Sequence, residues 1–392
     1  MRILFISLGC DKNLVDSEEM LYLLREKGYE ITDDEENADI IVVNTCCFIH
    51  DAKEESIDTI LEMGKYRLSG KVKALIVTGC LAQRYREEIL KEIPEVDAVL
   101  GTASYDDILE AVEKTLKGEK YLSFRPTDRL VDTGGGRIIT TGGAYEYLRI
   151  AEGCAKHCTY CVIPKVRGGY RSIPMERLLD TARQMVGEGV KELIVIAQET
   201  TLYGTDLYGK KSLHILLEKL CRIEGLVWIR LLYCYPEEIY PELVDTIARE
   251  PKICHYLVLP IQHCSDSILK RMGRKTTKAD LERIITEIRE RIPDMVIRTT
   301  LITGFPGETK EDHEELMQFV ADMAFDRLGV FTYSPEEDTP AAAMENQVPE
   351  EVKEQRKAEL MELQQDISLE LDQERIGEEL LVFVEGKVAD EN

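Results

Sequence analysis

The sequence lacks several features that would assign a protein to a class at once. It has no apolar run of about 18 residues, which a transmembrane helix requires, so we predict no membrane span. Its first residues, MRILFISLGC, lack the basic flank and small-residue cleavage site of a signal peptide. No Ser-His-Asp arrangement is visible, and no residue is assigned as an acid or base catalyst. The first two absences favour a cytoplasmic protein that works away from membranes.

Basic residues are scarce relative to acidic ones. The chain has 49 Lys and Arg against 74 Asp and Glu, which gives a formal net charge of −25 at pH 7. A broadly acidic surface repels phosphate backbones, so it disfavours non-specific binding of nucleic acid and favours a basic macromolecular partner. Acidity that serves only solubility is an equally good explanation of the same charge.

Histidine is also scarce, with six residues, whereas there are eleven cysteines. In a reducing cytosol disulfides do not account for so many thiols, so metal binding or redox chemistry becomes the leading explanation. Ligation by thiolates with little imidazole is typical of iron–sulfur clusters and of structural zinc. The length of 392 residues predicts about two to three domains.

Residues 1–118 are predicted to form an α/β domain. Apolar runs alternate there with amphipathic stretches, which indicates a doubly wound parallel sheet with helices on both faces. The predicted strands are Arg2–Leu8, Ile40–Asn44, Lys73–Thr78 and Asp97–Leu100, and the predicted helices are Leu14–Lys27, Lys53–Lys65, Gln83–Glu92 and Tyr105–Leu116. Residues 119–139 are interpreted as a linker, because the run Gly134–Gly136 lacks the preceding strand and following helix of a phosphate-binding loop.

Cysteines follow three of these predicted strands. Cys10 comes after the first strand, Cys46 and Cys47 after the second, and Cys80 after the third. The carboxyl ends of parallel strands lie at one edge of a sheet, where ligands of open α/β sheets bind. Three thiolates meeting there could hold a four-iron cluster with one iron left open, although buried cysteines also serve as small hydrophobic residues. Successive side chains of a strand point in opposite directions, so periodicity alone does not choose between Cys46 and Cys47.

A second group of cysteines has the spacing C-x3-C-x2-C. Cys154, Cys158 and Cys161 directly follow a predicted strand over Tyr147–Glu152. Three thiolates so close together can hold one iron–sulfur cluster and leave one iron open. A zinc knuckle would need a fourth ligand in register, for which His157 is poorly placed, and a redox dithiol would not need the third cysteine.

The central part of the chain is predicted to be a barrel of six β/α units. Five further strand candidates follow the first one: Lys191–Gln198, Val227–Tyr233, Tyr256–Ile261, Val296–Gly304 and Arg327–Tyr333. Six units are fewer than the eight of a complete barrel, so a lateral opening is expected that would admit a macromolecular substrate.

Two sets of motifs resemble known families. The C-x3-C-x2-C spacing, with an aromatic residue before the last cysteine, resembles the radical S-adenosylmethionine superfamily. The segments LGCDKNLVDSE, NTCCFI and TGCLAQRY resemble the methylthiotransferase family. IAQETTLYGTDLYG, LLYCYP, LPIQHCSDSILKRMGR and GFPGET are similar to its branch that modifies an aspartate of a ribosomal protein. Ile173 departs from the pattern, because relatives often have a basic residue there.

The resemblance implies two [4Fe–4S] clusters and S-adenosylmethionine as cofactors. Its NTC-x-F pattern assigns Cys46, together with Cys10 and Cys80, to an auxiliary cluster, and leaves Cys47 in a variable place. The cluster on the other three cysteines would split S-adenosylmethionine to a 5′-deoxyadenosyl radical. Contacts to S-adenosylmethionine are expected from Tyr160, Gln198 and Gly304.

The reaction implied by the resemblance is addition of a methylthio group to the β-carbon of an aspartate in the small-subunit ribosomal protein uS12. An electron donor such as flavodoxin or ferredoxin and a sulfur source would be further partners, and we expect a monomer. Residues 140–370 would form the radical core. A helix over Glu350–Glu374 and a strand over Glu378–Glu385 are predicted, and residues 373–392 would be only the beginning of the small β-domain called TRAM.

Two alternatives stay open. A tRNA adenosine methylthiotransferase would use the same chemistry, but the acidity of the chain and the barrel motifs disfavour it. A non-catalytic iron–sulfur or zinc-stabilised protein would need neither an open iron nor a barrel mouth.

Overall fold

A six-stranded, wholly parallel sheet forms the N-terminal part of the computed structural model, which describes residues 1–384. Its strands are β1 (Arg2–Ser7), β2 (Glu30–Thr32), β3 (Ile40–Thr45), β4 (Ala74–Gly79), β5 (Ala98–Leu100) and β6 (Tyr121–Ser123). Its helices are α1 (Asp11–Glu26), α2 (His50–Leu68), α3 (Cys80–Tyr85), α4 (Glu87–Glu92) and α5 (Ile108–Thr115). The strand order is β2-β1-β3-β4-β5-β6, so the order reverses between β1 and β3.

The central strands β3 and β4 are buried on both faces, as their apolar sequences predict. Ile41 and Val43 pack in one cluster with Ile60 of α2, whereas Ile40 and Val42 pack in another with residues of α1 and α5. Helices therefore cover both faces of the sheet, which confirms the predicted doubly wound α/β architecture.

Three details of this domain differ from the sequence-based prediction. The edge strands β2 and β6 were not predicted, because three residues are too few to show an alternating pattern. Strand β6 lies inside residues 119–139, so the interpretation of that whole stretch as a linker is wrong. The helix predicted over Gln83–Glu92 is two helices, since Arg86 has a φ of +45° that interrupts the helical path.

The second part of the chain forms another six-stranded parallel sheet. The strands here are β7 (Tyr145–Arg149), β8 (Ala151–Glu152), β9 (Arg171–Ser172), β10 (Glu192–Ile196), β11 (Trp228–Leu231), β12 (Ile253–Val258), β13 (Val296–Thr303) and β14 (Arg327–Thr332). The sheet has the order β7-β10-β11-β12-β13-β14, while β8 and β9 form a separate antiparallel pair. Neighbours in the sheet are successive along the chain, which confirms the predicted partial barrel of six strands.

Helices connect these strands and pack around them. They are α6 (Ile163–Arg167), α7 (Met175–Gly187), α8 (Thr205–Tyr208), α9 (Leu213–Cys221), α10 (Pro241–Arg249), α11 (Asp266–Arg271), α12 (Lys278–Arg291), α13 (Lys310–Met323) and α14 (Glu350–Glu374). One continuous apolar cluster fills the barrel and reaches Leu360 and Ile367 of α14. No helix within residues 1–384 has both the length and the apolar character needed to cross a bilayer.

The C-terminal helix has the predicted bounds, but the strand that was predicted after it does not form. Residues 378–384 have no strand conformation and are largely exposed. A single extended segment needs a partner strand for its backbone hydrogen bonds, and none lies beside it among residues 1–384. The rest of the predicted strand and of the TRAM segment, residues 385–392, lies outside the described residues, so the TRAM assignment stays a prediction.

Candidate functional site at two cysteine triplets

The first cysteine triplet lies at the carboxyl edge of the N-terminal sheet. Thr45 pairs with Gly79 across β3 and β4, so Cys46 and Cys80 are the next residues on neighbouring strands. Cys10 follows β1 on the other side of β3, at the point where the strand order reverses. Ligand sites of open α/β sheets form at such a reversal. The strand topology therefore brings together the three cysteines that the sequence predicted.

Close backbone packing holds Cys10 and Cys46 in the same place. Gly9 has a φ of +89°, and a Cβ atom there would lie 2.8 Å from Cβ of Cys46 and 3.1 Å from its Sγ. Only glycine allows this approach, because it has no Cβ and adopts positive φ freely. The Ser56 hydroxyl, which accepts from the amide of Cys46 at 3.0 Å and donates to its carbonyl at 2.9 Å, fixes the same turn.

Cys80 has a charged neighbour that the sequence did not indicate. Nε–H of Arg167 donates to Sγ of Cys80 at 3.4 Å, and the thiol lies 3.6 Å from Oδ1 of Asn13. Burial raises the pKa of the Cys80 thiol, and the positive charge of Arg167 opposes this rise. Metal binding deprotonates such thiols.

The adjacent cysteine, Cys47, points elsewhere. Its side chain is fully buried in the apolar cluster on the α2 face of the sheet, with Leu75 and Leu81. Burial raises the pKa of its thiol to about 12. The structure thus separates Cys46, which faces Gly9, from Cys47, which belongs to the core.

The second triplet lies in the loop between β8 and α6. Sγ of Cys154 accepts from the amide of Lys156 at 3.4 Å, and Sγ of Cys161 accepts from the amide of Ile163 at the same distance. Burial raises the pKa of the Cys154 thiol to about 11 and that of the Cys161 thiol to about 12. Cys158, between them, is buried as well. Backbone amides that point at sulfur stabilise it in its ionised, metal-binding form.

Hydrogen bonds join this loop to the end of helix α11. Thr159 bonds to α11 twice, through its amide to the carbonyl of Met272 at 2.9 Å and through its hydroxyl to that of Arg271 at 2.8 Å. Gly153, with a φ of +75°, opens the loop, and a Cβ there would clash with the backbone of Gly169. The loop is therefore fixed at its start, by Gly153, and between Cys158 and Cys161, by Thr159.

The donor chemistry of both triplets fits the implied iron–sulfur clusters. Each site offers three thiols, which is the ligand type that four-iron clusters take. No three His, Cys, Asp or Glu side chains within residues 1–384 lie close enough to hold a single metal ion. The cysteines of a four-iron cluster bind separate irons, so they need not meet at one point.

Buried polar atoms without partners surround the second triplet. Gln198 donates to Oε1 of Glu152 at 2.7 Å, but its own Oε1 has no partner within residues 1–384. The same holds for Oε2 of Glu199 and for Nε and Nη1 of Arg274. Buried polar atoms are nearly always hydrogen-bonded, so these are atoms that a bound ligand would satisfy.

The three predicted cofactor contacts have different neighbours in the structure. The ring of Tyr160 packs edge-on against Phe305 at 6.3 Å, beside the second triplet. Gln198 lies near the base of the same loop, through Glu152. Gly304 has a φ of +72°, and a Cβ there would clash with the Lys353 side chain of α14. The structure gives Gly304 a packing role, and its contact with a cofactor stays a prediction.

The N-terminal domain reaches into the barrel mouth directly after Cys10. The hydroxyl of Tyr233, beyond β11, donates to Oδ1 of Asp11 at 3.1 Å, and Nζ of Lys12 lies 2.9 Å from the centre of the Tyr233 ring. Tyr233 is held at a φ of +60°, which is rare for a residue with a side chain and is concentrated at functional sites. These residues fall within the motifs LGCDKNLVDSE and LLYCYP, but their contact was not predicted, because only the docking of the two domains brings them together.

The buried carboxyl of Glu199 should make the stability of the fold depend on pH. It is fully buried, and burial raises the pKa of its carboxyl from an ordinary value near 4.5 to about 7, although hydrogen bonds from Thr201 oppose the rise. Between these pH values the folded chain holds a proton that the unfolded chain has lost, so stability falls as pH rises through this window. Across this window the free energy of unfolding falls by about 3 kcal/mol, at 1.36 kcal/mol per pKa unit.

Glu199→Gln removes this titration, so we expect the variant to unfold near the wild-type denaturant midpoint at pH 5 and above it at pH 8. Glu199→Asp, which retains a carboxyl group, is the control and should keep the wild-type dependence. Denaturant titrations at both pH values measure the effect. An identical difference between Glu199→Gln and wild type at pH 5 and pH 8 would contradict the assignment.

Comparisons with known proteins agree with this architecture. The model of "Uncharacterized protein family UPF0004" matches residues 2–101, and that of the "Radical SAM superfamily" matches residues 148–320. The solved radical S-adenosylmethionine methyltransferase TsrM from Kitasatospora setae superposes with a TM-score of 0.61. It is 15% identical and covers 87% of this chain and 76% of its own, so the likeness shows the fold alone.

Similarity to curated relatives is much higher. The ribosomal protein uS12 methylthiotransferase RimO of Lachnoclostridium phytofermentans is 63% identical over 391 residues, which are 100% of this chain and 89% of that protein. RimO of Clostridium perfringens is 52% identical over 382 residues, 97% of this chain and 85% of that protein. The chain therefore belongs to the RimO family of radical S-adenosylmethionine methylthiotransferases.

Proposed function

We propose that this chain adds a methylthio group to the β-carbon of an aspartate in the small-subunit ribosomal protein uS12. The observation that carries the proposal is that Arg167 links the two cysteine triplets. It contacts Cys80 of one triplet, and it ends helix α6, which begins just beyond Cys161 of the other. Relatives that are 51–63% identical bear the name of this activity. The acidic chain, at −25, is complementary to a basic protein substrate.

The residues have separate tasks in this proposal. One triplet (Cys154, Cys158 and Cys161) would hold the cluster that binds S-adenosylmethionine, and the other (Cys10, Cys46 and Cys80) would hold the auxiliary cluster. When bound, these cofactors supply a radical able to take hydrogen from an unactivated carbon and the sulfur that replaces it. The protein binds and orients them and excludes water. Gln198, Glu199 and Arg274 offer unpaired polar atoms to a ligand, and Tyr160 lines the same region with its ring.

The electron donor, for which flavodoxin or ferredoxin is proposed, and the sulfur source are further partners in this proposal. Both would have to reach the triplets from outside. In the auxiliary triplet Cys10 is exposed, Cys80 is partly exposed and Cys46 is buried, whereas in the other triplet Cys161 is partly exposed and the remaining two are buried. The auxiliary site is thus the more accessible of the two to a soluble donor of sulfur.

The test is modification of a defined substrate. The anaerobically reconstituted chain, with S-adenosylmethionine, a reductant and a sulfide source, is incubated separately with uS12 and with tRNA. We expect mass spectrometry to detect an added methylthio group on uS12 and none on tRNA. A uS12 variant with the modified aspartate replaced by alanine is the matched control. Modification of tRNA alone would reject the substrate, and stoichiometric zinc without iron would reject the chemistry.

A further inference from the structure

A buried arginine connects the two triplets. Arg167 is 4% exposed and lies at the end of α6. Its Nε–H donates to Sγ of Cys80 at 3.4 Å, Nη1 donates to Oδ2 of Asp16 at 2.7 Å, and Nη2 donates to Oδ1 of Asn13. Nη1 also reaches Oε2 of Glu152 at 3.3 Å. One guanidinium thus joins a cysteine of the N-terminal sheet to the barrel.

Glu152 continues the connection to the second triplet. Its Oε1 accepts from Nε2 of Gln198 at 2.7 Å and from the amide of Gly153 at 3.1 Å. Gly153 directly precedes Cys154. Glu152 is therefore the carboxylate shared by the Arg167 guanidinium and the start of the second cysteine loop.

We propose that Arg167 is a positioning residue of the auxiliary site, which orients the Cys80 sulfur and raises the reduction potential of the cluster held there. Hydrogen bonds to ligand sulfur atoms set the potentials of iron–sulfur clusters. A donor and a positive charge beside the sulfur stabilise the reduced cluster, which carries one more negative charge. This inference rests on the proposed function, because it assumes a cluster on Cys10, Cys46 and Cys80.

Arg149 provides a matched control. It is 8% exposed and forms ion pairs with Asp16, with Glu152 at 3.2 Å and with Glu19 at 3.3 Å. It therefore stabilises the same domain interface through two of the same carboxylates, but among the described residues it makes no hydrogen bond to sulfur. A purely structural effect of losing a buried interface arginine should appear in both positions.

The experiment isolates the auxiliary cluster in a chain with Cys154→Ala, Cys158→Ala and Cys161→Ala. Arg167→Met, Arg167→Lys or Arg149→Met is added, iron and sulfide are counted, and the midpoint potential is measured by redox titration followed by electron paramagnetic resonance. We expect Arg167→Met to lower the potential by about 59 mV, a tenfold change for a one-electron couple. Arg167→Lys, which keeps the positive charge but loses the several N–H donors of the guanidinium, should shift the midpoint potential less. Arg149→Met should leave the midpoint potential unchanged.

Each outcome separates the inference from the proposed function. If the parent chain binds no cluster, the proposed function fails first. If all chains bind equal iron and Arg167→Met has the parent potential, or Arg149→Met shifts it equally, the inference is overturned. If Arg167→Met loses iron while Arg149→Met retains it, the role in holding Cys80 is supported. Loss of iron from both variants would show that only the interface matters.

Discussion

Cys154→Ala is expected to abolish cleavage of S-adenosylmethionine and to remove about half of the bound iron, four of about eight atoms per chain. Cys154 is buried and its Sγ accepts a hydrogen bond from the amide of Lys156, so alanine removes a sulfur that the fold holds in place. With two cysteines left in the loop, the cluster loses a third of its protein ligands. We expect at least a thousandfold fall in the rate at which 5′-deoxyadenosine forms, and no methylthiolation of uS12.

The control for this prediction is Cys264→Ala. Cys264 follows β12 and is fully buried in the barrel core, so its replacement tests the loss of a barrel thiol without loss of a proposed ligand. We expect this variant to keep about eight irons and most of its activity, with a modest loss of stability of about 1 kcal/mol. Iron analysis and chromatographic measurement of 5′-deoxyadenosine distinguish the two variants. A Cys154→Ala protein that retained all its iron would contradict the assignment.

The two triplets differ in how far the sequence could predict them. Cys154, Cys158 and Cys161 lie within eight residues, so their proximity follows from the chain itself. Cys10, Cys46 and Cys80 are far apart, but each follows a strand, and the apolar runs of β1, β3 and β4 are long enough to be recognised. Parallel pairing then places their carboxyl ends at one edge. Local pattern and sheet topology together were sufficient to predict that edge as a site.

Contacts between the domains could not be predicted in this way. Arg167 and Cys80 are 87 positions apart, and Tyr233 and Asp11 are 222 apart. Neither pair belongs to a common element, so their meeting depends on how the sheets dock, which no periodicity encodes. The positive φ of Tyr233 gives no sequence signal either, since the residue is not glycine. The polar residues that connect the sites are therefore visible only in the structure.

The second large effect concerns the choice between neighbouring cysteines. Cys46→Ala is expected to remove the auxiliary cluster, and with it all methylthiolation of uS12, while cleavage of S-adenosylmethionine continues. Cys46 packs against Gly9, next to Cys10, and follows the residue that pairs with Gly79. The variant should bind about four irons and form 5′-deoxyadenosine without transferring sulfur. Cys154→Ala, by contrast, is expected to lose both activities.

Cys47→Ala is the matched control, one residue along the same chain. The Cys47 side chain is fully buried in the apolar cluster on the α2 face of the sheet. Its loss should therefore lower the free energy of unfolding by about 1 kcal/mol and leave both iron–sulfur clusters in place. Iron counts, electron paramagnetic resonance spectra and mass spectrometry of uS12 compare the variants. If Cys47→Ala loses the auxiliary cluster and Cys46→Ala keeps it, the ligand is Cys47 and the assignment of Cys46 is wrong. The side chains beyond β3 would then have to rotate on cluster binding, because the alternation of the strand places only one of the two beside Cys10.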